Sequence, residues 1–226
     1  MKTGFRWNLS ISFMLIAGFS GLGQNSAAGS PLTSSTITIH AENYAGIDHK
    51  TLMEAEEAAT RIFRKAGIDI RWVDADPASE HRSNNPIEQR AFNLSQIQLQ
   101  ILSPAMAERL DMPNNAMGLA PGKERDRQLV FVFYEKVESL ARNQRRAGAD
   151  GRIRWCGNTG QILGHVIAHE IGHVLLNLET HSETGIMRGN WNIKNLQDAC
   201  SGYLNFTAPQ AEIIRAETDR RAGSKL

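Results

Sequence analysis

Hydrophobic and polar positions change period several times along the chain. Residues 36–41 (TITIHA) alternate and are rich in β-branched side chains, the pattern of a half-buried strand. From about 49 to 66 the period lengthens. Leu52, Ala55, Ala59, Ile62, Phe63 and Ala66 recur at three-and-four spacing, which gives a helix one apolar face. Asp48 is the expected N-cap, and Gly67 the expected stop, because glycine tolerates the left-handed conformation that closes helices. Residues 68–73 (IDIRWV) alternate again. This succession predicts two parallel strands joined by a right-handed crossover helix.

Downstream, residues 74–90 are polar, hold two prolines and an Asn pair, and are expected to form a loop. Residues 97–102 (IQLQIL) predict a third strand, and 104–110 a short helical turn. Turn formers bound 113–122, so only a brief edge strand fits there. The continuous apolar run 129–134 (LVFVFY) predicts a strand buried on both faces. Five arginines in 141–155 predict a solvated loop rather than a nucleic-acid patch. A long, mostly apolar helix is expected over 160–176, irregular chain over 177–206, and a last helix over 208–221. Thr207 is the expected cap of that last helix, with Pro209 in its first turn. No repeat or linker divides the chain.

Composition narrows the class without naming a function. The 226 residues are 41% hydrophobic and 22% charged, which suits one ordinary globular domain. A formal charge of +1 gives no field to draw nucleic acid. The start differs from the rest. Lys2 and Arg6 precede the apolar run 9–23, and small residues including Ser26 and Ala28 follow. Basic, apolar and small in that order is the pattern of a secretory signal. The apolar run of about 15 residues is shorter than the ~20 that span a bilayer. We therefore expect a signal peptide over 1–28, one domain over 29–226, and an exported protein that is secreted or periplasmic. No membrane association is expected once the leader is removed. In an oxidising compartment the two cysteines, Cys156 and Cys200, are expected to pair. Free thiols or a thiolate metal ligand are the alternatives.

Chemistry concentrates in the apolar helix. It carries His169-Glu170-Ile171-Gly172-His173. Residues four apart share a helical face, so two imidazoles in this spacing can grip one zinc ion. Glu170, next to the first histidine, is placed to act as a general base toward water activated by the metal. A catalytic zinc needs a third protein ligand and one open position. His181, twelve residues after His169, can supply the third if the helix ends near Asn177. Glu179 is the rival, since carboxylates also bind zinc. His165, four residues before His169, is expected to support or pack rather than ligate. His40 and His81 have no partner at ligand spacing.

The series His169-Glu170-x-x-His173, His181-Ser182 and Gly185-Ile186-Met187 resembles the metzincin zinc metalloproteases, most of all their matrixin branch. The match departs from the family where Leu176 and Glu179 stand at the positions of its glycine and third histidine, so His181 implies two extra residues in the connecting turn. The resemblance implies an α+β domain with a twisted, mostly parallel sheet of about five strands and an antiparallel edge strand. A central zinc-binding helix and a small irregular C-terminal subdomain ending in a helix would complete it. It also implies that Met187 forms a turn beneath the metal. Met117, Gly118, Leu119 and Ala120 would be the edge strand that pairs with an extended substrate. The expected activity is zinc-dependent endoproteolysis of peptides or proteins by a monomer. The competing expectation is a non-catalytic exported binding protein with a degenerate or structural metal site.

Overall fold

The structure is a computed structural model that describes residues 35–74, 96–112, 116–121, 128–147, 158–177 and 181–223. Strand β1 (Ser35–Asn43) leads into helix α1 (His49–Lys65) and strand β2 (Ile68–Asp74), and β1 and β2 pair in parallel. Asp48 caps α1 by accepting the Thr51 amide at 3.0 Å and the Thr51 hydroxyl at 2.7 Å. Gly67 follows the helix at φ +84°, a conformation that costs a side-chain-bearing residue energy. Strand β3 (Gln96–Leu102) lies parallel to β1 on its other side.

Helix α2 (Pro104–Arg109), the two-residue strand β4 (Gly118–Leu119) and strand β5 (Leu129–Phe133) come next. β5 runs parallel to β3, and β4 runs antiparallel to β5 at the border of the sheet. The strand order is β2-β1-β3-β5-β4. The protein is thus mixed α/β, with a five-stranded sheet that is parallel except at one edge. Ile37, Ile39, Ile97, Leu99, Ile101, Val130 and Val132 carry the sheet side of the core.

Helix α4 (Thr159–Leu176) is buried along nearly its whole length. A helix apolar on all sides has no solvent face and must be enclosed. It packs closely on α1 because glycine removes the side chain at the crossing. A Cβ on Gly164 would lie 2.3 Å from the Ala55 carbonyl oxygen and 2.6 Å from the Ala58 methyl. The last helix, α6 (Ala208–Gly223), ties down the ends of two others. Arg215 donates to the Ala66 carbonyl at 2.8 Å, and the buried Arg221 donates to the Val174 carbonyl at 3.2 Å.

Two expectations are corrected. The strand expected through residue 134 ends at Phe133, and helix α3 (Tyr134–Ala147) follows where strand end and solvated loop were expected. Its apolar stripe is narrow, with Val137 and Ala141 buried one turn apart. The polar majority of its positions masks that stripe in sequence. Helix α5 (Ile193–Cys200) interrupts the segment expected to be irregular. It has only eight residues, and reciprocal bonds between Asn192 and Asn195 cap its start. The expected signal peptide, most of the 74–90 loop, and Cys156 lie outside the described residues. So the Cys156–Cys200 pairing is outside them too, although Cys200 itself ends α5. Among the described residues no helix is long and apolar enough to cross a membrane.

Candidate metal centre

Helix α4 sets His169 and His173 one turn apart. Their ring centroids are 4.8 Å apart, and their Nε2 atoms 3.2 Å apart. The helix then stops at Asn177, whose φ of 51° and ψ of 41° are left-handed. Its amide donates to the His173 carbonyl, which closes the last turn. The chain returns with His181, whose ring lies 5.3 Å from that of His169 and 5.0 Å from that of His173. One nitrogen from each of the three imidazoles falls within 4.8 Å of the others. Three histidines are therefore close enough to bind one metal ion. Among the described residues no Cys, Asp or Glu joins them as a fourth ligand. Glu179 lies outside the described residues.

The ring of His169 is held from behind. Its Nδ1 donates to the Ile186 carbonyl at 2.7 Å, which leaves Nε2 with its lone pair toward the cluster. Burial is the main cause that lowers its pKa to about 4, and the neighbouring histidines add to it. The ring is neutral at pH 7, as a metal ligand must be. Lone pairs that converge on one small space repel unless a cation or proton lies among them, so the donor set fits a cation.

The segment behind the cluster is irregular but bonded at nearly every residue. Ser182 donates its amide to the Met187 carbonyl at 2.9 Å, and Ile186 donates to the Asn205 carbonyl at 2.9 Å. Gln210 on α6 reaches the Ser182 hydroxyl at 3.2 Å. Met187 is fully buried, and its sulfur lies against Gly172, one residue before His173. A Cβ on Gly172 would approach that sulfur to 2.5 Å. Trp191 donates its indole N–H to the same Ile186 carbonyl at 3.3 Å, and its ring stands edge-on to His169 at 5.8 Å.

Glu170 turns its carboxyl toward strand β4. A Cβ on Gly118 would lie 2.5 Å from Glu170 Cγ and 2.7 Å from Oε1, so the strand backbone rests against the acid. Burial pushes the Glu170 carboxyl up to about 8. Met117, Gly118, Leu119 and Ala120 line a cleft of about 1120 Å³ together with Glu170 and the three histidines. One edge of β4 pairs with β5, and its position at the sheet border leaves the other unpaired among the described residues.

His165 is buried but stays out of the cluster. Its Nδ1 bonds the Gln161 carbonyl at 2.8 Å, and its Nε2 has no partner among the described residues. Burial holds its pKa down at about 4. His40 sits on β1, away from the histidine cluster, with a buried Nε2 that has no partner among the described residues. His81 lies outside the described residues. Sequence reasoning missed the Ile186 carbonyl, Trp191 and the two glycines that admit Met187 and Glu170. Gly172 inside the histidine motif was a visible sign, since glycine in a helix interior costs stability unless something packs there. A backbone carbonyl leaves no sign in sequence at all. No family model matches this chain, and no curated protein matches it either.

Proposed function

We propose that this protein is an exported zinc-dependent endopeptidase of metzincin type. The observation that carries the reading is the convergence of three histidines beside a buried glutamate in a cleft bordered by a strand edge that is unpaired among the described residues. Three imidazoles with no fourth ligand among the described residues suit a catalytic zinc, because a structural zinc is closed by four. When bound, zinc supplies Lewis acidity, which polarises a carbonyl and eases the deprotonation of water. The chain does the rest. His169 keeps its proton on Nδ1, against Ile186, which leaves its Nε2 free to help hold the ion. Glu170 takes a proton from water and returns it to the leaving amine. A dication nearby opposes the effect of burial and favours its carboxylate form. The free edge of β4 holds an extended peptide through main-chain hydrogen bonds. Export is supported by the basic, apolar and small order of residues 1–28. A Cys156–Cys200 bond would tie the chain before α4 to the end of α5.

Metal analysis of the purified chain, and hydrolysis of an unfolded protein with and without chelator, test this together. One zinc per chain is expected, with cleavage that a chelator abolishes and added zinc restores. Full zinc occupancy with no cleavage would leave a non-catalytic binding protein.

A further inference from the structure

The described lining of the cleft is one-sided in charge. Two cationic side chains line it, Lys136 and Arg188. They come from different walls. Lys136 lies in the first turn of α3, just after the Phe133 amide bonds the Met117 carbonyl at 2.8 Å, so it belongs to the β4 side. Arg188 lies beyond Met187 in the segment bridged to Ser182, and its neighbour Gly189 abuts the His181 ring.

Among the described residues neither side chain has an ionic partner, whereas Arg142 on the same helix as Lys136 is paired with Glu138 at 2.8 Å. Arg220 and Arg221 are likewise paired with Glu217. Among the described residues lining the cleft, the one carboxyl is that of Glu170, which is buried against β4. A groove lined by two positive charges that have no ionic partner among the described residues attracts anions and repels cations.

We propose that the cleft selects acidic peptides, with Lys136 and Arg188 receiving Asp or Glu side chains on residues beside the cleaved bond. This rests on the reading of the cleft as a peptidase site, and it names the substrate class. Both cations are polar rim groups, so the expected discrimination is about two- to fivefold per charge pair, and it shrinks as salt is added.

The test uses the full zinc-loaded chain and three fluorogenic peptides that differ only in the two residues flanking the cleaved bond: Glu, Gln or Lys. The value of kcat/KM should fall in that order. Arg188→Gln and Lys136→Gln should each shrink the ratio of Glu to Gln peptide. Zinc itself attracts carboxylates, so this change in ratio, and not the preference alone, is the signature of the two side chains. A second arm measures fluorescence anisotropy of the labelled Glu and Gln peptides on zinc-loaded Glu170→Gln protein, where no cleavage is needed. Tighter binding of the Glu peptide, weakened by adding Arg188→Gln, supports the proposal even if the unmutated chain cleaves nothing, and in that case only the peptidase reading falls. Equal cleavage of all three peptides overturns the acidic preference and leaves the peptidase reading standing. Equal binding of both peptides, without cleavage, overturns both.

Discussion

The histidine cluster is built from two regions that owe their shapes to different forces. Helix α4 delivers His169 and His173 through local geometry, since any α-helix sets residues four apart on one face. Residues 181–191 deliver His181, the Ile186 carbonyl, Met187 and Trp191 from chain with almost no regular structure. Their positions depend on bonds to Asn205 and Gln210, and on the fit of Met187 against Gly172. A ligand on a helix tolerates change around it, whereas a ligand on an irregular segment is only as well placed as its supports. The two regions meet at His169, whose ring comes from the helix and whose anchor comes from the turn.

The sharpest separation of the two regions is expected from Glu170→Gln. Glu170 belongs to the helix but is not among the clustered nitrogens, so zinc should stay while the base is lost. Activity should fall by about 10²–10⁴-fold, with metal content unchanged by elemental analysis. Near-full activity in that variant would remove Glu170 from the mechanism.

Next in size is the turn's own ligand. His181→Ala should weaken metal binding by at least about 100-fold, beyond the usual effect of losing a supporting group, while Glu179→Ala should not. A competitive chelator titration reads this. The reverse result would give the third position to Glu179.

A smaller effect should come from the helix interior. The pKa of His165 is held at about 4 by burial, against 6.5 for the ordinary side chain. The unfolded chain therefore binds the proton more readily between these values. The neutral ring's contribution is present above pH 6.5 and is lost as pH falls toward 4. In metal-free protein, His165→Leu should gain on the unmutated chain by about 2 kcal/mol across that window. Denaturant melts at several pH values measure it, and the pH-independent packing change cancels in the slope. A flat difference would mean that His165 titrates normally.

The smallest effect expected is on the shared anchor. Trp191→Phe keeps an aromatic ring beside His169 but removes one of two donors to the Ile186 carbonyl. Zinc affinity should drop about tenfold, the low end for loss of a group behind a ligand. No change in affinity would mean that His169 alone holds that carbonyl in place.

Much of this architecture was legible because its causes are local. The Asp48 cap, the Gly67 stop, the alternating strands and the Asn177 terminator each depend on a few neighbouring residues. Helices α3 and α5 were missed for the opposite reason. The buried stripe of α3 is two or three side chains wide, and α5 has eight residues, so neither repeats long enough to stand out from its polar neighbours.

By itself the sequence determined that His169 and His173 share a helical face with Glu170 beside them, because helical spacing is a property of the backbone. It also determined that His181 is available after a left-handed stop. Only the tertiary structure decided that the three imidazoles converge, that Ile186 fixes the His169 tautomer, and that β4 lies against Glu170. Those contacts join residues from 8 to 52 positions apart in the chain. Closing such distances depends on the packing of α4 against the sheet and of α6 against its end, and no local pattern encodes that packing.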